Sequence, residues 1–321
     1  MNSVLCKVYI ADCSVDGGVY CFDLTKNGTL IQKQCVGIEN PMFLNIEGDK
    51  MHIALRSVSE FDGDSATVTY NIDSDGMLTG PSEAISTNGK IACHLCSFKG
   101  NVYTANYISG SVCREGEDAV VHTGYGSWPD RQDKAHCHFI SPTFDNKYLL
   151  AVDLGNDTIY TYDDQLNELY TAKVPCGCGC RHLAYSKNGR YVYCINELSS
   201  SVSVFEYDDG RLTLLETYDT LPYDFDGQNT AAAIRVVGNK LYVSNRGYDA
   251  ITVFELFGAD IKKLYSVKSG GSSPRDFDLY KDFLVCTNES GEITVFKVTK
   301  ERLELVNNDI KLTHPLCVVF K

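Results

Sequence analysis

Two sets of residues, each drawn from equivalent positions of an internal repeat, gather the side chains able to bind an anion or move a proton. The first set is Met42, His94, His138, Arg181, Ala232, Arg275 and Leu316, and the second is Cys13, Arg56, Tyr107, Leu154, Glu197, Arg246 and Glu289. Four members of each set are charged or can become so. If the repeats superpose around an axis, each set becomes a ring and its charges converge. Charges at such a crowded centre are costly unless they are paired or face water. Converging Arg, His and Glu therefore point to an anion-binding pocket, although the same residues could equally serve as ion-pair braces lining a channel.

The elements that must position these residues are short strands. Helical periodicity is nearly absent, and runs rich in Val, Ile, Tyr, Phe and Thr alternate with Gly, Asn and Asp turn signals. One phrase recurs as VYIADC, MHIALR, VYTANY, LLAVDL, VYCINE, LYVSNR and FLVCTN, with matching residues Asp12, Leu55, Asn106, Asp153, Asn196, Asn245 and Asn288. The intervals between them run from 43 to 51 residues, the length of one four-stranded propeller blade. A preceding strand stands before six of the phrases, as PMFLNIE, ACHLCSF, HCHFISP, CRHLAYS, AAAIRVV and PRDFDLY, and the missing seventh appears at the far end as PLCVVF, residues 315–320. The pattern predicts an all-β, seven-bladed β-propeller over residues 1–321, a single domain whose blade 1 is closed by the N- and C-terminal strands. Two insertions, Ser59 to Ser65 and Tyr218 to Asn229, depart from the period and are candidates for loops that carry binding residues.

Composition narrows the partners. Lys+Arg number 29 against 42 Asp+Glu, a formal charge of −13, so nucleic acid and anionic membranes are excluded as general partners. No apolar run approaches the 18 residues of a membrane span, and the N-terminal apolar run is broken by Lys7 and Asp12, so neither a signal peptide nor a transmembrane helix is expected. The 14 cysteines are scattered singly along apolar runs and read as reduced thiols of a cytoplasmic protein. Cys176, Cys178 and Cys180 alternate, and His136 and His138 lie near them in sequence, but the run lacks C-x-x-C geometry. No metal, disulfide or cofactor is expected, and the chain should be a monomer or weak homo-oligomer. There is no G-x-S-x-G elbow, P-loop or dinucleotide fingerprint.

The segments ANYISGSV, HCHFISPTFDNKYLLAVDLGND, RHLAYSKNGRYVYCINELSSSVSVFEY, AAAIRVVGNKLYVSNRG and SPRDFDLYKDFLV resemble, across essentially the whole chain, the lactonase propellers, which include bacterial 6-phosphogluconolactonases and fungal carboxy-muconate cyclases. The resemblance implies an active site of His138, Arg181, Glu197 and Arg246. It departs at GCGCRH, where relatives resemble GAGPRH and Cys180 replaces a proline. It also implies a carboxylic-ester hydrolase that opens 6-phospho-D-glucono-1,5-lactone, a phosphorylated sugar lactone, in the oxidative pentose phosphate pathway.

Such chemistry needs a base for water, His138 or Glu197, and cations at the nascent oxyanion, Arg181 and Arg246. Arg275, His94 and Arg56 are candidates for the phosphate, with Glu289 beside them. A muconate-cyclase-like lactonising enzyme would use the same four residues, and a metabolite- or protein-binding propeller would need none of them for chemistry. Arg181 is expected to face a solvated channel, so that its removal would cost turnover and hardly disturb folding.

Overall fold

Runs of β-branched and aromatic residues only a few residues long, separated by tight turns, favour hairpins, and hairpins in series build the molecule. The computed structural model describes residues 3–321. Its strands form seven antiparallel sheets arranged as seven blades. The four innermost-to-outermost strands of blade 5, for example, are Cys180–Tyr185, Tyr191–Asn196, Ser201–Asp208 and Arg211–Asp219. Blade 2 carries a fifth short strand, Ile85–Ser86, on its third strand. A single turn of 3-10 helix, Ser59–Phe61, occupies the first of the two insertions.

Blade 1 contains both ends of the chain. Pro315–Phe320 is its innermost strand and pairs with Val4–Asp12, with Tyr9 opposite Val319 and Ile10 opposite Val318. Closure satisfies the strand edge that an open ring would leave unpaired. Lys7 and Lys321 complete it by exchanging backbone hydrogen bonds of 2.9 and 3.0 Å.

The core lies between the blades. Each blade buries both faces, so the second strands read as nearly continuous apolar runs, such as Tyr191–Asn196 with Val192, Tyr193, Cys194 and Ile195 at 0% exposure. Val192 and Cys194 pack toward blade 4, whereas Tyr193 and Ile195 pack toward blade 6. Buried tyrosines of alternate blades add directional links. Tyr9, Tyr103 and Tyr193 donate to the backbone oxygens of Gly76, Asp164 and Gly258, each in the next blade, at 2.7–2.9 Å.

One irregularity repeats seven times. Near the start of every innermost strand the pairing register slips, leaving an unpaired residue in a β-bulge. The bulged positions include Met42, Cys93, His138, Arg181, Ala232, Arg275 and Leu316. A bulge turns a side chain out of the alternating pattern, and repetition around the axis aims one residue per blade at the same end of the channel. This register corrects the first ring read from the sequence. In blade 3 the bulged residue is Cys93, and His94 pairs regularly with Ala105.

Because the last strand closes the ring, a chain ending at Thr313 should lose its cooperative thermal transition, as followed by circular dichroism. A truncated chain that melted like the full one would show that closure contributes nothing to stability.

Candidate active site

The bulged residues and those that follow the second strands meet at one mouth of the channel, around a cavity of about 450 Å³. Its walls hold Arg56, Arg131, Arg246 and Arg275 against Glu197 and Glu289, with His138 and His314. Four guanidinium groups against two carboxylates make the mouth electropositive on a chain whose formal charge is −13.

Glu197 is the junction. Its Oε2 accepts from Arg181 Nε at 2.9 Å and lies 3.0 Å from Arg246 Nη2, while Oε1 is bound by Arg131 Nη2 at 2.5 Å. Burial alone would raise its pKa, but the guanidinium groups of Arg246, Arg181 and Arg131 outweigh burial and hold the carboxyl far below the usual range. Arg181 also donates to the Ala232 carbonyl at 2.7 Å. Burial, reinforced by Arg275 and opposed by Glu197, pushes Arg181 down to about 9, so it remains charged at neutral pH. A second pair sits beside the first. Glu289 Oε1 receives Arg275 Nη1 at 3.0 Å and lies 3.5 Å from Arg246 Nη1.

Two glycines let the backbone deliver these arginines. Gly179 has φ +65° with its back against Leu198, and it accepts the Glu197 backbone N–H at 2.7 Å. Gly247, directly after Arg246, has φ +110°, and a Cβ there would lie 2.2 Å from the Gln228 carbonyl. The Tyr218–Asn229 insertion thus acts as a buttress, with Asn229 Oδ1 accepting from Tyr248 N at 2.9 Å.

His138 is 5% exposed and lines the cavity, and among the described residues its Nδ1 has no hydrogen-bond partner. Burial first, then Arg181, depresses its pKa well below the ordinary histidine value, leaving a neutral imidazole at pH 7. One residue beyond the bulges, His94 and His182 form a layer under the cavity with Phe43 and Phe139. Ring centroids there lie 4.0 Å apart for Phe43 and His94 and 5.2 Å for His94 and His182.

The structure therefore brings His138, Arg181, Glu197 and Arg246 together, with Arg275, Arg56 and Glu289 around them. It does not bring His94 to the cavity, because the blade 3 bulge presents Cys93 instead. Arg181, expected to be solvated, is 2% exposed and packed behind Glu197. Arg131 escaped the sequence reading because it lies outside the repeat, on the connection from blade 3 into the innermost strand of blade 4. The one signal for it was a Gly-, Trp- and Pro-bearing stretch, GYGSWPDRQDK, just before HCHF. Gln132 holds that stretch down, accepting from Ser127 N at 3.0 Å and donating to the Leu154 carbonyl at 2.8 Å.

Fold and site together define a seven-bladed propeller whose channel mouth is lined by more guanidinium groups than carboxylates. The model of the family described as "Lactonase, 7-bladed beta-propeller" matches residues 7–320, and the chain belongs to that family. An uncharacterized protein of Staphylococcus saprophyticus is 32% identical, with 94% of this chain and 95% of the relative covered. A Lactobacillus plantarum crystal structure shares 28% identity at a TM-score of 0.90, covering 98% of this chain and 99% of the other. A 6-phosphogluconolactonase candidate from Bacteroides uniformis shares 25% identity at a TM-score of 0.89, with the same coverage.

Two outcomes are expected. Arg181→Ala removes one partner of a buried charge cluster and should destabilise the protein by about 3 kcal/mol or more in denaturant titrations; an unchanged midpoint would mean Arg181 is dispensable to the fold. His94, His138 and His182 all have lowered pKa values, with burial the leading cause. The unfolded chain therefore binds protons that the folded chain excludes. Stability should fall as pH drops below about 6.5, by up to about 1.4 kcal/mol per pH unit for each imidazole, and His94→Phe should flatten that slope.

Proposed function

We propose that this protein hydrolyses 6-phospho-D-glucono-1,5-lactone to 6-phosphogluconate. The observation that carries the reading is the electropositive cavity, in which guanidinium groups outnumber carboxylates on an otherwise acidic chain. A lactone bearing a phosphate is the kind of anionic sugar derivative such a cavity selects. Family membership supports lactone opening as the reaction.

Of the two candidate bases, His138 fits better. Glu197 is held anionic at far too low a pKa to take a proton, and both of its oxygens are committed to guanidinium groups. His138 is neutral and lines the cavity, and among the described residues its Nδ1 is buried without a partner, which leaves Nε2 as the nitrogen to meet a water. In this mechanism a water placed beside His138 gives up its proton as its oxygen attacks the lactone carbonyl. The resulting oxyanion is stabilised by Arg246, and collapse of the tetrahedral centre breaks the ring C–O bond, whose oxygen takes the proton back from the imidazolium. Arg275 and Arg56 would hold the phosphate, the former oriented by Glu289. Glu197 keeps three arginines in place and does not exchange a proton.

The test is acid release by purified protein from phosphorylated and unphosphorylated gluconolactone. His138→Gln should lower kcat by roughly 10²–10⁴-fold with little change in KM. Arg275→Ala should raise KM for the phosphorylated lactone and leave that for the unphosphorylated one nearly unchanged. Wild-type protein that opened neither lactone faster than buffer would sink the reading.

A further inference from the structure

A second buried cluster lies outside the proposed active site, where blades 3 and 4 meet. His122 follows the outermost strand of blade 3, Val120–Val121, while Cys137 opens the innermost strand of blade 4 and Asp153 ends its second strand. His122 Nδ1 lies 2.8 Å from Asp153 Oδ2 and 3.1 Å from Cys137 Sγ. All three residues are buried, and their donor atoms fall within 4.8 Å of one another. On the far side of the imidazole, Tyr162 Oη is 2.8 Å from Nε2.

The repeat supplies an internal reference for this cluster. His122 bonds through its backbone N–H to Gly110, the hairpin turn of its own blade, as Thr87 does to Ser65, Thr220 to Ser200 and Ser269 to Asp249. His122 thus occupies the position of Thr87 and Thr220. In those blades a threonine hydroxyl meets the asparagine of the next blade, Thr87 with Asn106 and Thr220 with Asn245, each at 2.8 Å. Joining one blade to the next needs only a hydroxyl and an amide. At the boundary of blades 3 and 4 the pair is instead histidine and aspartate, and the inner-strand residue opposite that aspartate is Cys137, where blades 3 and 6 pair Ala92 and Ala231 with their asparagines.

We propose that His122 Nδ1, Cys137 Sγ and Asp153 Oδ2 form a binding site for a divalent cation of the zinc class. Imidazole nitrogen, thiolate and carboxylate are the donors zinc takes. A thiolate and a carboxylate together cancel the charge of a dication, which makes the cluster neutral where water is excluded. For Nδ1 to meet the cation, the ring proton it shares with Asp153 Oδ2 in this structure must move to Nε2, and the cation displaces one proton from Cys137 to solvent. Tyr162 Oη, behind the ligand, then accepts from Nε2 and holds the imidazole in that tautomer. Asp153 is held in place independently, since its Oδ1 accepts from His136 N at 2.7 Å and Gly155 N at 2.9 Å. The expectation of no metal was argued from Cys176, Cys178, Cys180 and the His136/His138 pair. None of these residues contributes a donor here, and Cys137 finds its partner 15 residues upstream.

The test is a cobalt(II) titration of the full-length, chelator-treated protein, with zinc content of untreated protein measured by mass spectrometry. About one equivalent of zinc and a near-ultraviolet thiolate-to-cobalt absorption band are expected. The band should vanish in Cys137→Ser and in His122→Thr/Asp153→Asn, which reproduces the hydroxyl–amide pair that joins blade 2 to blade 3 and blade 5 to blade 6 and should fold normally by circular dichroism. It should persist in Cys176→Ser. A wild-type titration without the band, or a band that survives Cys137→Ser, would overturn the site.

Discussion

Glu197 places a negative charge at the centre of the propeller, where it is 4% exposed. An unpartnered ion in such a place costs several kcal/mol, so its neighbours are constrained to neutralise it. The guanidinium groups that do so come from three different parts of the ring: Arg131 on the connection entering blade 4, Arg181 on the innermost strand of blade 5, and Arg246 at the end of the second strand of blade 6. One carboxylate therefore ties three consecutive blades together at the mouth. The same neutralisation leaves a surplus of cations around the cavity, and that surplus is available to an anionic ligand.

The repeating bulge is the geometric counterpart of this charge balance. A regular strand would alternate its side chains between the two neighbouring blades and offer the channel only backbone. The slip near the start of each innermost strand, between Cys180 and His182 for example, redirects one residue per blade to the axis. Blades differ in what they place there: sulfur in Met42 and Cys93, apolar groups in Ala232 and Leu316, and imidazole or guanidinium in His138, Arg181 and Arg275. The polar members fall in blades 4, 5 and 7, so the site is built on one side of a nearly symmetric ring.

Much of this was readable from residues alone. The phrases ending at Asn106, Asp153, Asn196, Asn245 and Asn288 repeat because each polar residue sits at a strand end, and PLCVVF had to complete blade 1 because no other strand was left for it. In the second ring six members follow the strand end by one residue and Arg246 is itself the strand end, while Cys13 and Leu154 do not line the cavity. The first ring slipped in blade 3, because a bulge is a hydrogen-bond irregularity and Ala-Cys-His-Leu carries no letter that announces one. Arg131 was invisible for a different reason: a loop outside the repeat has no equivalent positions against which to compare it. The burial of Arg181 also lay beyond the sequence, since a charge in a ring reads the same whether it faces water or a carboxylate one layer away.

The sharing of blade 1 between the two ends bears on how the molecule is made. A ribosome releases Val4–Asp12 long before its inner partner Pro315–Phe320. Throughout synthesis the first strand must wait with one edge unsatisfied, carrying Val8, Tyr9 and Ile10, which are fully buried once the ring shuts. Six blades can assemble in order as they emerge, but blade 1 cannot close until Pro315–Phe320 has left the ribosome. The interval between the two events is a window in which the nascent chain presents a sticky strand to its neighbours, and it lengthens with every pause of the ribosome.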